Sequence, residues 1–283
     1  MPPRSTPTER QKRLGAELRK MRLAADVSTE YAAGLLGLDR AKISNIEAGV
    51  RTISPDRLRT LACNYACRDE AYVEALADMA SDRTRGWWEV YRGQLPAGLL
   101  DIAELEWLAK SVRAGLTMIV PGLLQTDGYA RTLFGAALPP LSPAEIELRV
   151  ALRLQRQQVM YRDQPITYVG YVHEAALHVE FGGAKVMRVQ LEHLCDVSDR
   201  DNIHVRVIPF SAGALPGAGQ AVVYAEGPVA QLDTVELDSA HGPEFTHGQS
   251  QLDKYRAHLD WMESASLSPS ASRDFIREIA RHH

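Results

Sequence analysis

Short apolar stripes separated by turn residues run through the N-terminal part of the chain. Apolar positions recur there at spacings of three and four residues, as on one buried face of an amphipathic helix. In the third stripe, Ile43 and Ile46 supply the inward positions. The spacing predicts helices over residues 11–24, 29–36, 40–48, 55–65 and 69–82. This part of the chain is therefore predicted to be all-α.

The residues that flank these stripes are typical helix caps. Ser28, Asp39 and Ser54 each precede a stripe, and their side-chain oxygens can accept a hydrogen bond from a free N–H at a helix start. Gly37 and Gly49 follow the second and third stripes, where a left-handed residue commonly ends a helix. The second and third helices are thus predicted to be short and joined by a tight turn.

The pattern changes further along the chain to a mixture of helices and strands. Stretches rich in β-branched and aromatic residues, or alternating apolar with polar, predict strands over 166–172, 203–208, 221–225 and 229–237. Helical spacing predicts helices over 103–116, 143–161, 185–198, 251–262 and 270–281. The predicted fold class is α+β, with an all-α N-terminal domain followed by a larger mixed α+β domain.

The length of 283 residues fits two domains of ordinary size. Residues 1–9 hold three prolines and no apolar period, and are predicted to form a disordered tail. We assign residues 10–68 to the helical domain, 69–86 to a connecting helix and linker, and 87–283 to the α+β domain. No internal repeat is evident, which argues against a solenoid.

Charged residues are unevenly divided between these regions. Residues 1–68 hold 13 Lys and Arg against 7 Asp and Glu, whereas the rest of the chain holds 19 against 29. A basic segment of this size is suited to a polyanion, and the acidic remainder would repel one. The overall net charge of −4 hides this asymmetry.

The chain carries no sign of membrane insertion or secretion. It has no apolar stretch of about 18 residues, and its start lacks the apolar centre of a signal peptide. Cys63, Cys67 and Cys195 are odd in number and show no paired pattern, so we expect reduced thiols rather than a disulfide framework. These features predict a cytoplasmic protein.

The run from Val27 to Gly49 has the spacing of a helix, a tight turn and a second helix. Ala32 and Gly34 are small enough to permit close helix approach, and Gly37 permits the turn. Over roughly residues 11–66 the chain resembles the Cro/C1-type helix-turn-helix of the xenobiotic-response-element family. The Ile-x-x-Ile-Glu-x-Gly ending is fairly specific to that family.

The resemblance implies that the third helix is a DNA recognition helix. Arg40, Ala41 and Asn45 match the family positions that meet base edges. The chemistry agrees, because Arg can donate twice to guanine, Asn can pair with adenine, and Ala can touch a thymine methyl. The residues placed for phosphate contacts are Thr29, Lys42, Ser44 and Arg51. Glu47 occupies a position that is usually structural.

The resemblance further implies a homodimer on double-stranded DNA. Two-fold dimers place their recognition helices in successive major grooves, about 34 Å apart, so a pseudo-palindromic operator is expected. The alternative is a solvated helical bundle whose polar third helix merely faces water.

A second resemblance lies downstream. It rests on segments 87–88, 120–126, 149–157, 174–177 and 207–213. These segments are similar to the C-terminal domain of uncharacterised function in antitoxin-like regulators of filamentous high-GC bacteria. That family is often encoded beside a small partner protein, so the resemblance implies a transcription factor regulated by a partner or a ligand. It implies no reaction.

Two features of this region allow a structural and a functional interpretation. The mostly apolar segment around Pro121 and Gly122 is favoured as a packing motif over a ligand pocket. Arg149, Arg153 and Arg156 rise at helical spacing and are suited to an acidic partner or phosphates, or to a solvated helix face.

The sequence predicts no catalytic residue, no cofactor and no metal site. His173 and His178 are five residues apart, whereas a zinc-protease helix needs four. Cys63 and Cys67 lack a nearby His or second Cys pair to complete a tetrahedral site. One weak metal-like group remains, made of His241, Glu244 and His247.

Our hypothesis is a sequence-specific transcriptional regulator, controlled through its C-terminal domain. The first rival is a DNA-tethered enzyme with a polar pocket around His173, Glu174 and His178. The second rival is an antitoxin-like interaction protein that mainly binds a small neighbour. Copurification of a small protein would favour the second rival.

Overall fold

The computed structural model describes residues 6–81, 86–213, 215–216, 220–239 and 241–283. The chain divides into two compact units, residues 1–89 and 90–283. The first is helical and the second combines helices with a sheet, which confirms the predicted α+β class. Part of the predicted tail, residues 1–5, and most of the predicted linker, residues 82–85, lie outside the described residues.

The described residues of the first unit form five α-helices. They are α1 (Glu9–Ala24), α2 (Thr29–Leu35), α3 (Arg40–Glu47), α4 (Pro55–Asn64) and α5 (Glu70–Ser81). Ser28, Asp39 and Ser54 accept hydrogen bonds at the starts of α2, α3 and α4, as predicted. Helix α1 begins earlier than predicted, at Glu9, because Thr8 caps it. The predicted disordered tail is therefore wrong at its last residues.

Helix α5 belongs to the core of the first unit rather than to a connection. It packs against α1 and α4. The Tyr72 hydroxyl donates to Glu17 Oε2 at 2.5 Å, and Arg59 on α4 holds both carboxylate oxygens of Glu74 at 2.8 and 2.7 Å. The assignment of residues 69–81 to a connecting segment is corrected accordingly.

The described part of the second unit contains a mixed six-stranded sheet and seven α-helices. The strands are β1 (Ser111–Leu116), β2 (Thr167–His173), β3 (Ile203–Ile208), β4 (Val222–Glu226), β5 (Thr234–Ser239) and β6 (Gly242–Thr246). The helices are α6 (Ala97–Leu108), α7 (Asp127–Gly135), α8 (Pro143–Arg156), α9 (Glu174–His178), α10 (Ala184–Val197), α11 (Gln249–Ala265) and α12 (Pro269–Ala280).

The strand order is β3-β2-β1-β4-β5-β6. Strands β1, β2 and β3 are parallel to one another, and β4, β5 and β6 continue the sheet in antiparallel fashion. Val112, Tyr168 and Ile203 lie side by side across the parallel strands. All three are buried in the core that also contains residues of α10 and α12. Tyr171 and Tyr224 face the other way, into a second core with Leu259 and Met262 of α11.

The predicted helix over 103–116 is wrong in its second half. Helix α6 ends at Leu108, and β1 follows from Ser111. Val112 and Leu116 continue the helical spacing from Leu108. Together with Ala114 they also occupy every second position, which is the spacing of one face of a strand. Both periods fit these few residues, and pairing with β2 and β4 decides for the strand.

Candidate nucleic-acid interface

Helix α3 presents a buried face and an exposed polar face. Ile43 and Ile46 are 1% and 4% exposed and pack into the first unit. The residues on the opposite side are exposed, namely Arg40, Ala41, Ser44 and Asn45. At 3.6 residues per turn these four positions span an arc of roughly 140°. An arc of this kind can enter a DNA major groove without disturbing the core.

The cap of α3 is also an ion pair. Asp39 Oδ1 accepts from the Lys42 backbone N–H at 2.8 Å, and Lys42 Nζ lies 2.8 Å from Asp39 Oδ2. The side-chain hydrogen bond from Lys42 is the main cause that lowers the pKa of Asp39, and Arg51 adds to it. The Lys42 cation therefore lies at the N-terminal end of α3, paired with the Asp39 carboxylate on which exposed Arg51 also acts.

A buried ion pair fixes the C-terminal end of α3 against α1. Arg22 donates from Nε and Nη2 to the two carboxylate oxygens of Glu47 at 2.6 and 2.9 Å. A third bond runs from Arg22 Nη1 to the Val27 carbonyl at 2.8 Å. Glu47 is thus engaged inside the unit, in agreement with the structural role that the resemblance implied.

Two glycines allow the backbones of α1 and α3 to touch. A Cβ on Gly15 would lie 2.5 Å from the Glu47 carbonyl oxygen, and one on Gly49 would lie 2.7 Å from the backbone of Gln11. Gly49 also has a φ of +72°, the left-handed conformation predicted for it. These contacts set how far α3 projects from the unit.

Helix α2 differs from its sequence pattern at two residues. Tyr31 lies four residues before Leu35, a spacing that places it in the apolar stripe with Ala32, but it is 57% exposed while Ala32 and Ala33 are buried. Gly34 was expected to permit close helix approach, yet it is exposed and an added Cβ would meet nothing within 4 Å. Thr29, the first residue of α2, is half-buried.

The predicted site residues thus occupy neighbouring helices of one unit. Six of them lie on α3 or just after it, and Thr29 opens α2. Their contacts with DNA stay a prediction. Tyr31 was missed as a candidate surface residue, because an aromatic side chain at helical spacing from Leu35 indicates a core position.

Comparison with known families gives two matches. Residues 13–76 match a model described as a helix-turn-helix domain. Residues 99–278, well over half of the chain, match a model described as a domain of unknown function, DUF5753. The chain belongs to the DUF5753 family. No curated protein and no solved structure matches it.

The helix-turn-helix match indicates a DNA-binding regulator and includes every residue of the predicted interface. The DUF5753 match begins within α6 and ends within α12, so it contains the whole sheet. It assigns no activity to that domain.

Inside the DUF5753 domain, the segment around Pro121 and Gly122 is bound by side chains. Gln125 Nε2 donates to the Val120 carbonyl at 2.7 Å, Gln157 Nε2 to the Gln125 carbonyl at 2.6 Å, and Gln190 Nε2 to the Leu124 carbonyl at 2.7 Å. Leu123 and Leu124 are buried. These bonds support the structural interpretation of the motif over a pocket lined by it.

The groups named for an enzyme are engaged in local structure. His173 Nδ1 accepts from the Ala175 N–H at 3.2 Å and caps α9, and its burial lowers its pKa. Glu174 Oε2 accepts from the Phe210 N–H at 2.6 Å, and its other oxygen lies 3.6 Å from His178 Nε2. Helix α9 spans only Glu174–His178, so His173 and His178 do not share a helix face.

Neither a metal cluster nor a membrane-spanning helix is found in the part of the chain that the structure describes. No group of three or more His, Cys, Asp or Glu there is arranged to hold a metal ion, and this includes His241, Glu244 and His247. No described helix is long and apolar enough to cross a membrane.

The arginine series of α8 is neither a solvated face nor a free basic surface. Arg156 is 7% exposed and holds the carboxylate of buried Glu106 from Nε and Nη2 at 2.7 and 2.6 Å. Arg149 is bonded to Glu145 at 2.8 Å. Arg153 lies between them and packs against the segment at Gly122. Arg149 and Arg156 are thus engaged with carboxylates inside the domain, so the three arginines do not form one solvated face or one continuous basic surface.

Proposed function

We propose that this protein is a sequence-specific transcriptional regulator that inserts α3 into the major groove of its operator. The observation that supports this proposal most directly is the exposed polar arc of α3, which lies opposite the buried pair Ile43 and Ile46. The arc consists of Arg40, Ala41, Ser44 and Asn45. In this proposal Arg40, Ala41 and Asn45 read bases of the Cro/C1 type of site. Thr29, Lys42, Ser44 and Arg51 bind phosphates.

The distribution of charge supports this proposal. The six-charge excess of Lys and Arg over residues 1–68 attracts the phosphate backbone. The acidic residues of α5 and of the second unit leave that attraction confined to α1–α4. Such a protein acts in the cytoplasm on chromosomal DNA, as a dimer on a pseudo-palindromic operator with half-sites about one helical turn apart.

The DUF5753 domain is proposed to be the regulatory part, responding to a small ligand or to a partner protein. Control by a small protein encoded nearby, as in antitoxin-like regulators, is the second form of this proposal. Phe210 supports it, because its ring is 57% exposed next to His173 and His178 at the end of the parallel strands. No catalytic step is required.

The proposal is tested by selection of duplexes from a random pool with the full chain at low salt. We expect enrichment of one sequence with two-fold related halves. Arg40→Ala should lose preference at one base pair per half-site, whereas Lys42→Ala should bind all duplexes more weakly and reduce the salt dependence of binding. If the duplexes recovered with the unaltered chain show no enriched sequence, the proposal is contradicted.

A further inference from the structure

Arg153 differs from the other two arginines of α8 in having no carboxylate partner. Among the described residues, Glu145 pairs with Arg149 and Glu106 pairs with Arg156, but no acidic side chain forms an ion pair with Arg153. Arg153 is half-buried, and Glu106, Glu236 and Asp238 act on its charge without forming an ion pair with it. A cation partly removed from water is normally paired, because desolvation disfavours an isolated charge.

Three contacts hold the Arg153 guanidinium in one position. Its Nη1 donates to Gln125 Oε1 at 2.7 Å, and its central carbon lies 5.1 Å from the centre of the Phe134 ring. It lies directly over Gly122, where an added Cβ would be only 2.7 Å from Nη1. Gly122 does not have a positive φ. The glycine is therefore needed here for the space that it leaves to the guanidinium.

The opposite edge of this guanidinium is unused. Nε is buried and has no hydrogen-bond partner among the described residues, and Nη2 forms no bond there either but is not fully buried. Burial lowers the pKa of Arg153 to about 10 and the Arg156 cation adds to this, whereas the carboxylates of Glu106, Asp238 and Glu236 act in the opposite direction. A buried N–H without a partner in a native structure calls for an explanation, of which a bound ion is one.

Other arginines of this chain show what the Nε–Nη2 edge does when it has a partner. Arg22 holds Glu47, Arg59 holds Glu74 and Arg156 holds Glu106, each through Nε and Nη2 on the two oxygens of a carboxylate. This fork matches the oxygens of carboxylates and phosphates in both spacing and charge.

We propose that the DUF5753 domain binds a small oxyanion, a carboxylate or a phosphate group, on the Nε–Nη2 edge of Arg153. The segment at Gly122 and the Phe134 ring hold the guanidinium ready, so the site loses little side-chain entropy on binding. That this anion acts as an effector of DNA binding rests on the function proposed above. The binding itself does not.

The site is tested by nitrogen-15 NMR of the arginine Nε–H groups in the full chain without DNA. Inorganic phosphate and acetate are titrated separately at constant ionic strength against chloride. We expect a saturable shift of the Arg153 signal, which Arg153→Lys identifies by its loss. The signal of exposed Arg188 on α10 is the internal control and should not saturate. The stronger of the two probes shows whether a phosphate or a carboxylate is preferred.

Matched variants separate an anion site from a purely structural arginine. Arg153→Lys keeps the charge but loses the fork, so calorimetry should show about tenfold weaker anion binding, whereas Arg188→Lys should bind like the unaltered chain. Gly122→Ala keeps Arg153 but displaces its guanidinium, so it should weaken anion binding as well. It serves as the test if Arg153→Lys does not fold.

Two results would overturn the proposal. One is a shift of Arg153 that rises without saturation and in parallel with Arg188. The other is equal anion affinity in the unaltered chain and the folded variants. Because no DNA is present, either result leaves the DNA-binding proposal standing, and failure to select an operator would leave anion binding unaffected.

Discussion

Arg22 and Glu47 hold α3 through a buried two-pronged ion pair, with both side chains less than a tenth exposed. Removal of one partner leaves the other charge buried and unpaired, which costs far more than the pair itself contributes. We expect Arg22→Gln to lower the opening free energy of the first unit by about 3 kcal/mol. Hydrogen exchange of α1 to α4 peptides in the full chain measures this.

Arg59→Gln is the matched control for that variant. Arg59 makes the same two-pronged contact with Glu74, but both side chains are about half exposed. Exposed pairs contribute little, so exchange should barely change. Equal effects of the two variants would show that burial does not set the strength of the Arg22 contact.

Glu236 on β5 gives the second unit a pH-dependent stability. It is 6% exposed, and burial together with Asp238 and Glu106 raises its pKa to about 7 against the attraction of Arg156 and Arg153. The folded state binds this proton more tightly than the unfolded state, so stability is fully present below the unfolded pKa of 4.5 and falls as the pH rises through about 7.

Glu236→Gln should therefore flatten this pH dependence. Urea unfolding at pH 5 and pH 8 measures it. Between pH 5 and pH 8, the free energy of unfolding of the unaltered chain should fall by up to about 3 kcal/mol more than that of the variant, because one pKa unit corresponds to about 1.4 kcal/mol. Glu244→Gln, at an exposed position on β6, should leave the difference as it is. A steeper dependence in Glu236→Gln would contradict the expected loss of stability at high pH.

At the scale of elements, the backbone contact between α1 and α3 is tested by two glycines with opposite surroundings. Gly15→Ala would bring a methyl group within 2.5 Å of the Glu47 carbonyl oxygen, so we expect destabilisation of about 1–3 kcal/mol. Gly34→Ala adds a methyl group in open space on α2 and should stabilise by about 0.5–1 kcal/mol. Hydrogen exchange of α1 and α2 peptides measures the stability change in each variant. Changes of the same sign in both variants would contradict the close packing of α1 on α3.

The sequence predicted α2, α3 and α4 well because each has a cap and an apolar stripe that agree. Ser28, Asp39 and Ser54 mark the helix starts, and Ile43 with Ile46 mark the buried face of α3. Where a pattern fitted two structures, prediction failed. The strand β1 satisfied helical spacing as well as alternation, and Tyr31 satisfied the stripe of α2 although the neighbouring alanines fill that space.

The arginine series of α8 shows a second limit. Spacing places Arg149, Arg153 and Arg156 along a helix, but it does not reveal the tertiary partners of the face that they share. Glu106 lies 50 positions before Arg156 in the chain, and only the packing of α6 near α8 brings them together. The strand β6 was missed because it opens with Gly242 and Pro243, two residue types that are depleted in strands.

At the scale of the whole molecule, a helical unit that is basic over residues 1–68 and matches a helix-turn-helix domain is joined to an acidic DUF5753 domain. The first presents the exposed arc of α3, and the second is a domain of unknown function. The central claim is that the exposed arc of α3 reads bases, beginning with Arg40.

The most direct measurement of that claim is the affinity of the full chain for its selected operator with guanine replaced by 7-deazaguanine, one position at a time. Loss of N7 removes one of the two acceptors that an arginine can bind. At one guanine per half-site we predict a loss of about 1–3 kcal/mol for the unaltered chain and for Lys42→Ala, and no loss for Arg40→Ala. An equal loss in Arg40→Ala, or none in the unaltered chain, would contradict base reading by Arg40.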